Sequence, residues 1–138
     1  VTKTNYFDRA VEPGVDYIYT VRALAGKVYS NFLPGSQIRR LEQVELNGTK
    51  SAKEGVYIDF EPVEGASGYY VYRKVGNGSW TASSYLGTIK TTKSHTYLDV
   101  SAKKGVTYTY TVKAYYKNGA IKSVGSYYAK GTSCKDVY

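Results

Sequence analysis

The 138 residues contain almost none of the side chains that build covalent cross-links or metal sites, with one Cys, one His and no Met. A single Cys, at position 134, excludes an internal disulfide bond and a cysteine-rich metal site. His95 is the only imidazole, and it begins a predicted strand far from Cys134 in the sequence, without the strained turn that a nucleophile requires. We therefore expect stability to come from packing, and we expect no cofactor, no metal and no hydrolase triad.

Long apolar runs are also missing. No stretch approaches the roughly 20 apolar residues that a membrane-spanning helix needs, so we expect no membrane insertion. No segment of useful length places apolar residues at helical spacing, and no phosphate-binding or calcium-binding loop is present. The sequence accordingly predicts a protein with negligible helix.

Tyrosine, by contrast, is abundant: the chain has 17 Tyr, and hydrophobic residues make up 42% of it. Aromatic and β-branched side chains fit pleated, half-buried surfaces, so this composition favours strands. The 19 basic and 11 acidic residues give a net charge of +8, but the basic residues are scattered along the chain. Such a charge is typical of solvated sheet faces, and the lack of a basic stripe argues against nucleic acid as a partner.

An internal repeat is the strongest signal in the sequence. Residues 6–23 align without a gap on residues 97–114, a shift of 91 positions. Nine of these pairs are identical, whereas chance would give about one. The first members of the identical pairs are Tyr6, Asp8, Gly14, Val15, Tyr17, Tyr19, Thr20, Val21 and Ala23. A period of this length is that of a whole small domain, so we interpret the chain as modules in tandem.

The two modules are unequal, as in a piece cut from a longer protein. Residues 1–42 are predicted to hold only the C-terminal strands of one module, and residues 43–138 a complete second module. The first set of strands then has an apolar face that needs a cover. An upstream piece, the second module or another copy in a strand-exchanged or fragment-complemented dimer would supply it. The residues expected to be buried in this way are Tyr17, Tyr19, Val21 and Ala23.

Apolar residues alternate with polar ones in several segments of the second module, including residues 56–60, 69–74 and 106–114. A period of two predicts half-buried strands. Asn-Gly pairs lie between the strands, and each is able to supply the positive φ angles of a tight hairpin turn. These pairs are Asn47-Gly48, Asn77-Gly78 and Asn118-Gly119. The spacing of strands and turns suits a two-sheet sandwich.

Four of these segments resemble the B, C, E and F strands of fibronectin type III modules. They are GVYIDF at 55–60, GASGYYVYRK at 65–74, YLD at 97–99 and GVTY at 105–108. The style is similar to that of tandem modules in bacterial surface proteins and secreted glycoside hydrolases. The resemblance implies an all-β, immunoglobulin-like (fibronectin type III) β-sandwich, with residues 43–138 as one complete module. It implies that residues 1–42 are the E, F and G strands of a preceding one.

The same resemblance implies structural roles for several aromatic residues. Phe60 sits where the family often has a core Trp on strand B. Tyr108, and Tyr17 in the first copy, fall at the tyrosine-corner position, where the hydroxyl bonds back to the backbone before the strand. Trp80 lies between strands C and E and does not match the usual core Trp, so its packing is open. The Arg-Gly-Asp loop of some animal modules is absent.

Paired carboxylates of the kind used by glycosidases are the remaining catalytic candidates. Asp59, Glu61 and Glu64 are predicted to sit on a strand end and its loop. Asp8 and Asp99 match each other through the repeat, and an acid duplicated in both copies favours a turn or strand-end role over catalysis. We therefore expect that the chain is not an enzyme.

One surface feature points to binding. Alternation on strand C turns Tyr70 and Tyr72 outward, beside Thr109, Thr111 and Lys113 of strand F. Tyr70, Tyr72 and Lys113 are thus the candidate binding face, which could stack sugar rings or hold a partner protein. The alternative is a plain outer sheet face in which Tyr is favoured because it fits a strand.

Two functions remain open, since this fold hosts many. The first is a non-catalytic, extracellular spacer or adhesion module of a larger surface or secreted protein, whose partners are the flanking domains of the same polypeptide. The second is a carbohydrate- or protein-binding module that uses the Tyr face, with cell-wall polysaccharide or another surface protein as its partner. Both imply a secreted or cell-wall-associated location.

Overall fold

The computed structural model describes residues 5–32, 34–91, 93–118, 121–125 and 132–134. Four short strands occupy the N-terminal segment, by which we mean residues 5–42: β1 Asp16–Tyr19, β2 Leu24–Ala25, β3 Val28–Tyr29 and β4 Ser36–Arg39. The strands that follow are β5 Leu46–Ala52, β6 Gly55–Phe60, β7 Gly68–Val75, β8 Tyr85–Ile89, β9 Thr96–Asp99, β10 Tyr108–Asn118, β11 Ile121–Gly125 and β12 Thr132–Cys134. One 3-10 turn, Ala82–Ser84, is the single helical element of the described residues. The prediction of an all-β chain is confirmed.

The described residues of 43–134, hereafter the sandwich, form two antiparallel sheets. The first has the order β5-β6-β9, and the second has the order β11-β10-β7-β8, with β12 also paired to β10. Side chains from the two inner faces fill the core, because successive residues of a strand point to opposite faces. The fully buried members are Val56, Ile58, Phe60, Tyr69, Val71, Tyr110, Val112 and Ala114. The predicted alternation on strands B, C and F is therefore confirmed.

The turn prediction was wrong at Asn47-Gly48. These residues lie inside β5, where the pairing with β6 shifts between Leu46 and Gly48. Gly48 has φ of 154°, which suits the irregular backbone of a bulge. The pairing then continues to Ala52 opposite Gly55, so the chain reverses only at residues 53–54. An Asn-Gly pair serves a bulge as well as a hairpin, because both need a residue tolerant of positive φ.

The other two Asn-Gly pairs have different outcomes. At Asn77-Gly78 the chain does turn, and the amide of Gly78 donates to the carbonyl of Val75 at 3.1 Å. The positive φ is supplied one step earlier, by Gly76 at 51°. The third pair, Asn118-Gly119, extends outside the described residues.

The repeat is reproduced in hydrogen bonds as well as in sequence. Asp8 accepts bonds at 2.9 Å from the amide of Ala10 and at 3.0 Å from the hydroxyl of Tyr19. The sandwich has the same two bonds 91 residues later, at 3.0 and 2.8 Å. The residues that make them are Asp99, Ser101 and Tyr110. The N-terminal segment therefore retains the local geometry of the sandwich at its first strand.

The N-terminal segment differs from the sandwich in its strands. Residues 5–12 form no strand, although strand E was expected there, whereas β9 pairs with β6 in the sandwich. β1 pairs with β4 alone, while the equivalent β10 also pairs with β7 along its other edge. The N-terminal segment offers no counterpart of β6 and β7 within its described residues, so residues 5–8, which correspond to β9, have no strand to pair with and form none.

The expected burial of the first copy is only partly met. Tyr17 and Tyr19 are half-buried, but Val21 is 75% exposed and Ala23 is also exposed. Their counterparts Val112 and Ala114 are fully buried because β7 pairs along β10 and the sheets pack face to face. The expectation for Val21 and Ala23 was thus wrong for a single chain, and cover by a further segment or copy stays a prediction.

Candidate functional site

Tyr70 and Tyr72, the predicted binding residues, lie on the outer face of β7. Lys113 of β10 is opposite Tyr70, and Tyr85 of β8 is opposite Tyr72. The ring of Tyr115 stacks on that of Tyr70 with centroids 4.5 Å apart, and Tyr85 meets Tyr70 and Tyr72 edge to face at 6.4 and 6.0 Å. Such contacts stabilise one another beyond simple burial. Four tyrosines from three strands therefore form one aromatic cluster.

The aromatic cluster forms one wall of an open groove of about 590 Å³. The residues that line the groove are Tyr70, Tyr72, Trp80, Thr81, Ala82 and Tyr85. Trp80 is 42% exposed and Tyr85 is 50% exposed, so both present ring surface to solvent. The Lys74 amine lies 4.6 Å from the centroid of the Trp80 ring, within the range of a cation–π contact. We call this feature the aromatic groove.

A compact hydroxyl network directly follows Trp80 in the chain. The Thr81 amide donates to Ser84 Oγ at 2.9 Å, and the Ser84 amide donates to the Thr81 carbonyl at 3.0 Å. The hydroxyls of Thr81 and Ser83 are 2.8 Å apart. Ser84 is buried, so this turn next to Trp80 is anchored to the sandwich.

The predicted face differs from the groove in its F-strand part. Lys113 lies on the neighbouring strand and is not among the groove residues. Thr111, expected to point into solvent, is only 1% exposed, because the short side chain sits directly opposite the much larger Tyr72. The Thr109 hydroxyl donates to the carbonyl of Gly76 at 2.8 Å. The structure thus brings Tyr70 and Tyr72 together with Trp80 and Tyr85.

Sequence analysis missed Trp80 and Tyr85 as groove residues. Alternation through Tyr85, Gly87 and Ile89 would have placed Tyr85 on the core face with the buried Ile89. A register shift in the pairing of β7 with β8, between Val71 and Tyr72, turns Tyr85 to the outer face instead. No local pattern could have placed Trp80, because the preceding chain reversal at Gly76 sets its position.

The acid that the repeat duplicates is a buried structural centre in the sandwich. Asp99 Oδ2 accepts from Arg73 Nη1 at 2.7 Å and from the Tyr110 hydroxyl at 2.8 Å, and Asp99 Oδ1 accepts from the Ser101 hydroxyl at 2.7 Å. Burial would raise the pKa of Asp99, but hydrogen bonds from Ser101, Tyr110 and Arg73 outweigh it and lower the pKa below its ordinary value. All partners are structural groups, and Arg73 also stacks on the Tyr108 ring at 4.6 Å.

The other candidates for chemistry lie on the surface. His95 Nδ1 is 3.1 Å from Asp59 Oδ1, and both side chains are largely exposed. Asn47 Nδ2 donates to Glu61 Oε1 at 2.9 Å, so this acid is held beside the β5 bulge. Over the described ranges, no group of three or more metal-ligating side chains occurs. In the same ranges, no helix is long and apolar enough to cross a bilayer.

The two tyrosines expected at corner positions accept backbone bonds across the same number of residues. The hydroxyl of Tyr108 accepts from the amide of Lys103 at 3.1 Å, and that of Tyr17 accepts from the amide of Glu12 at 2.9 Å. Each bond ties the start of a strand to the turn before it. A glycine with positive φ lies within each turn: Gly14 at 76° and Gly105 at 77°.

Replacement of Tyr108 by phenylalanine is expected to lower the free energy of unfolding by about 1 kcal/mol, because one hydrogen bond is lost and the ring stays in place. Urea denaturation followed by Trp80 fluorescence measures the change. The control is Tyr57→Phe, whose hydroxyl donates to the exposed Glu54 at 2.7 Å and whose loss should change stability by less than about 0.5 kcal/mol. Equal losses in both variants would contradict a corner role.

Comparison with known proteins supports the fold. No protein-family model and no curated protein matches the sequence. Among solved structures, the fibronectin type III domains FN1–FN3 of chicken contactin (CNTN1) are similar, with a TM-score of 0.54 and 14% sequence identity. The match covers 96% of this chain and 45% of the contactin fragment, so the chain spans less than half of that structure. The fold is an immunoglobulin-like β-sandwich of the fibronectin type III kind.

Proposed function

We propose that this chain is a non-catalytic, extracellular spacer segment of a larger surface or secreted protein, and that it works by holding its flanking domains in a fixed relation. The observation that carries the proposal is the junction between the N-terminal segment and the sandwich. A spacer made of modules transmits position only if the modules do not swivel freely, and interfaces between domains of one chain are often small and mobile.

Arg39, the last residue of β4, is the centre of the junction. Its guanidinium donates two bonds to the Asp16 carboxylate, from Nε at 2.7 Å and from Nη2 at 2.8 Å. Paired bonds of this kind are stronger and more directional than single ones. Nη1 of the same group donates to the carbonyl of Gly65 in the sandwich at 3.1 Å. One side chain thus bonds to both parts of the chain.

Tyr116 of the sandwich completes the contact. The Arg39 guanidinium lies 3.8 Å from the centroid of the Tyr116 ring, and the Tyr116 hydroxyl is 3.4 Å from Asp16 Oδ2. A guanidinium stacked on a ring and paired with a carboxylate has few alternative positions. Close by, a Cβ on Gly65 would lie 2.6 Å from the Cα of Gly14, so the two backbones touch. The junction is packed as well as paired.

The chain that connects the N-terminal segment to the sandwich, residues 40–44, is anchored at both ends. The Gly14 amide donates to the Arg40 carbonyl at 2.9 Å, which ties the join back to the N-terminal segment. Leu41 and Val44, which follow, are both buried in the core of the sandwich. A flexible linker keeps its backbone and side chains in solvent, whereas this join is anchored on both sides.

Other observations support a role without catalysis outside the cell. The His95 and Asp59 pair is exposed, and among the described residues no nucleophile is hydrogen-bonded to it. Asp99, the most buried of the described acids, already accepts bonds from Arg73 and Tyr110. Fibronectin type III folds are generally non-catalytic, and the similar contactin fragment comes from an extracellular protein family. An extracellular place for this chain follows as part of the proposal.

Stiffness of the junction is the property to measure. Spin labels at Ser36→Cys and Lys104→Cys, both exposed sites on opposite sides of the join, are introduced into a Cys134→Ser chain. We expect double electron–electron resonance to give a single narrow distribution of distances between the two labels. Replacement of Arg39 by alanine should broaden it, because the bonds to Asp16 and Gly65 are lost together.

The control is Arg22→Ala, since Arg22 stacks on Tyr29 and Phe32 within the N-terminal segment and makes no junction contact of this kind. A broad distribution in the unmodified chain, or equal widths in the Arg39 and Arg22 variants, would overturn the spacer proposal.

The Arg39 hydrogen bonds lower the pKa of Asp16 below its ordinary value of 3.8, outweighing the effect of burial. The narrow distance distribution should therefore persist above pH 3.8, and it should broaden as the pH falls through the lowered pKa of Asp16 in the folded chain.

A further inference from the structure

A second groove adjoins the aromatic groove and extends it along the surface. It encloses about 290 Å³, and it shares Thr81 and Tyr85 with the aromatic groove. Exposed hydroxyl side chains line it, together with Lys74. These hydroxyl residues are Ser79, Thr81 and Ser83. The combined surface is a channel with an aromatic end and a hydroxyl and cationic end.

The aromatic end suits the apolar face of a sugar ring. Trp80 and Tyr85 expose 42% and 50% of their surface, so the rings are available to a ligand without rearrangement of the core. Tyr85 stands edge-on to Tyr72 with an interplanar angle of 71°, so the rings of Tyr72 and Tyr85 form a cleft rather than a flat platform, and Trp80 lines the same groove. Amphipathic rings of this kind combine apolar contact with hydroxyl groups that bond to polar ligands.

The charge of the channel points to an anionic ligand. No Asp or Glu lines either groove, while Lys74 borders both the Trp80 ring and the hydroxyl end. The whole chain carries a net charge of +8, which raises the local concentration of anions. A carboxylate placed near Lys74 would gain a direct ion pair, and a sugar ring beside it would reach Trp80.

The cation density argues for an acidic polysaccharide over a nucleic acid. Single-stranded nucleic acids carry a phosphate at every residue, and proteins that bind them line the path with many cations. Of the two cations that line the channel, Arg73 is already paired with Asp99 at 2.7 Å, which leaves Lys74. One available cation beside several hydroxyls matches a ligand of neutral hydroxyl groups with spaced carboxylates.

We propose that the channel formed by Tyr72, Trp80, Tyr85, Lys74, Thr81 and Ser83 binds a linear polysaccharide that contains uronic acids. A sugar ring stacks in the cleft of Trp80 and Tyr85, and a carboxylate pairs with the Lys74 amine. This binding activity goes beyond the spacer role, and it depends on a different surface from the junction at Arg39.

Calorimetric titration with three uronic acid polymers, namely polygalacturonate, alginate and hyaluronan, tests the proposal. We expect saturable binding of at least one of them, and about tenfold weaker binding by Trp80→Ala, the change that corresponds to losing about 1.4 kcal/mol of contact. The Lys74→Gln variant should bind several-fold more weakly, and its affinity should depend less on salt than that of the unmodified chain. Circular dichroism confirms that each variant is folded.

Two matched controls distinguish the proposed interactions from nonspecific binding. Tyr29→Ala removes an aromatic side chain that is 53% exposed in the N-terminal segment, and it should leave affinity unchanged. Methyl-esterified polygalacturonate has the same sugar backbone without the charges. The unmodified chain should bind this ester about as weakly as the Lys74→Gln variant binds polygalacturonate. Single-stranded oligothymidylate serves as the nucleic-acid probe.

Three results would overturn the proposal. They are no binding of any of the three acidic polymers at low salt, equal binding of the esterified polymer, and tighter binding of oligothymidylate than of the polysaccharides. None of these results bears on the distance distribution across the junction, so the spacer proposal and the binding proposal fail independently.

Discussion

Replacement of Asp99 by alanine is expected to lower the free energy of unfolding of the sandwich by about 3 kcal/mol. The carboxylate is almost fully buried, and its removal leaves Arg73, Tyr110 and Ser101 without their shared acceptor. The loss is at the lower end of the range for buried ion pairs, because the Arg73 side chain is 24% exposed and can be partly rehydrated. Trp80 is the only Trp of the chain, so urea denaturation followed by its fluorescence reports on the sandwich.

The internal repeat supplies the control for this prediction. Asp8 accepts the equivalent bonds from Ala10 and Tyr19, but no described arginine pairs with its carboxylate as Arg73 pairs with Asp99, and Asp8 is only half-buried. Asp8→Ala should therefore leave the Trp80 transition within about 0.5 kcal/mol of that of the unmodified chain. Similar losses in both variants would show that the arginine pair and the burial of Asp99 add nothing.

The Asp99 contribution also has a defined pH dependence. Its pKa is lowered from the ordinary value of 3.8, so the folded state binds the proton less readily than the unfolded state. The stabilisation is fully present above that value and is lost as the pH falls through the lower, folded-state pKa. The stability difference between the unmodified chain and the Asp99→Asn variant should narrow over this acidic range and stay constant near neutral pH.

Replacement of Phe60 by alanine is expected to cost about 3–5 kcal/mol, again by urea denaturation with Trp80 fluorescence. Phe60 is fully buried, and its ring lies 4.7 Å from that of Tyr69 on the facing sheet. The substitution removes this contact and leaves a cavity between the sheets that packed strands close only in part. Truncation here therefore weakens both sheets at once.

Phe7→Ala is the matched control, because Phe7 is 78% exposed and lies in the N-terminal segment. Its removal should change the Trp80 transition by less than about 0.5 kcal/mol. The midpoint should shift in the Phe60 variant while the slope against urea stays the same, since the area exposed on unfolding is similar. A loss below about 1 kcal/mol for Phe60→Ala would mean that the two sheets are not packed through this residue.

Much of the fold could be predicted because strand periodicity is a local property. Val56 and Ile58 alternate with Tyr57, and this spacing alone decides which side chains face the core. The repeat added a second, independent signal, since Tyr17 and Tyr108 occupy equivalent positions in the two copies and each accepts a bond from the backbone amide five residues earlier. Where the local signal was ambiguous the prediction failed: Asn47-Gly48 is compatible with a hairpin turn and with a bulge, and pairing with β6 selects the bulge.

Only two of the four aromatic residues that line the aromatic groove could be predicted from the sequence. Alternation placed Tyr70 and Tyr72 on the outer face of β7, and the structure has them there. Burial of Thr111 was not predictable, because it depends on the size of the residue opposite in a strand distant in sequence. Trp80 lies between the chain reversal at Gly76 and the turn that the buried Ser84 anchors, so no strand alternation runs through it.

The sequence by itself determined that this chain is made of strands, that it contains a repeated module, and that one Asp and three Tyr of the first copy recur 91 residues later. These properties are written in neighbouring residues or in self-similarity. Only the tertiary structure decided that Arg39 joins Asp16 to Gly65, that Trp80 and Tyr85 line one groove, and that the Lys74 amine lies over the Trp80 ring. Such contacts depend on strand register and on the packing of segments far apart in the chain, which no local pattern encodes.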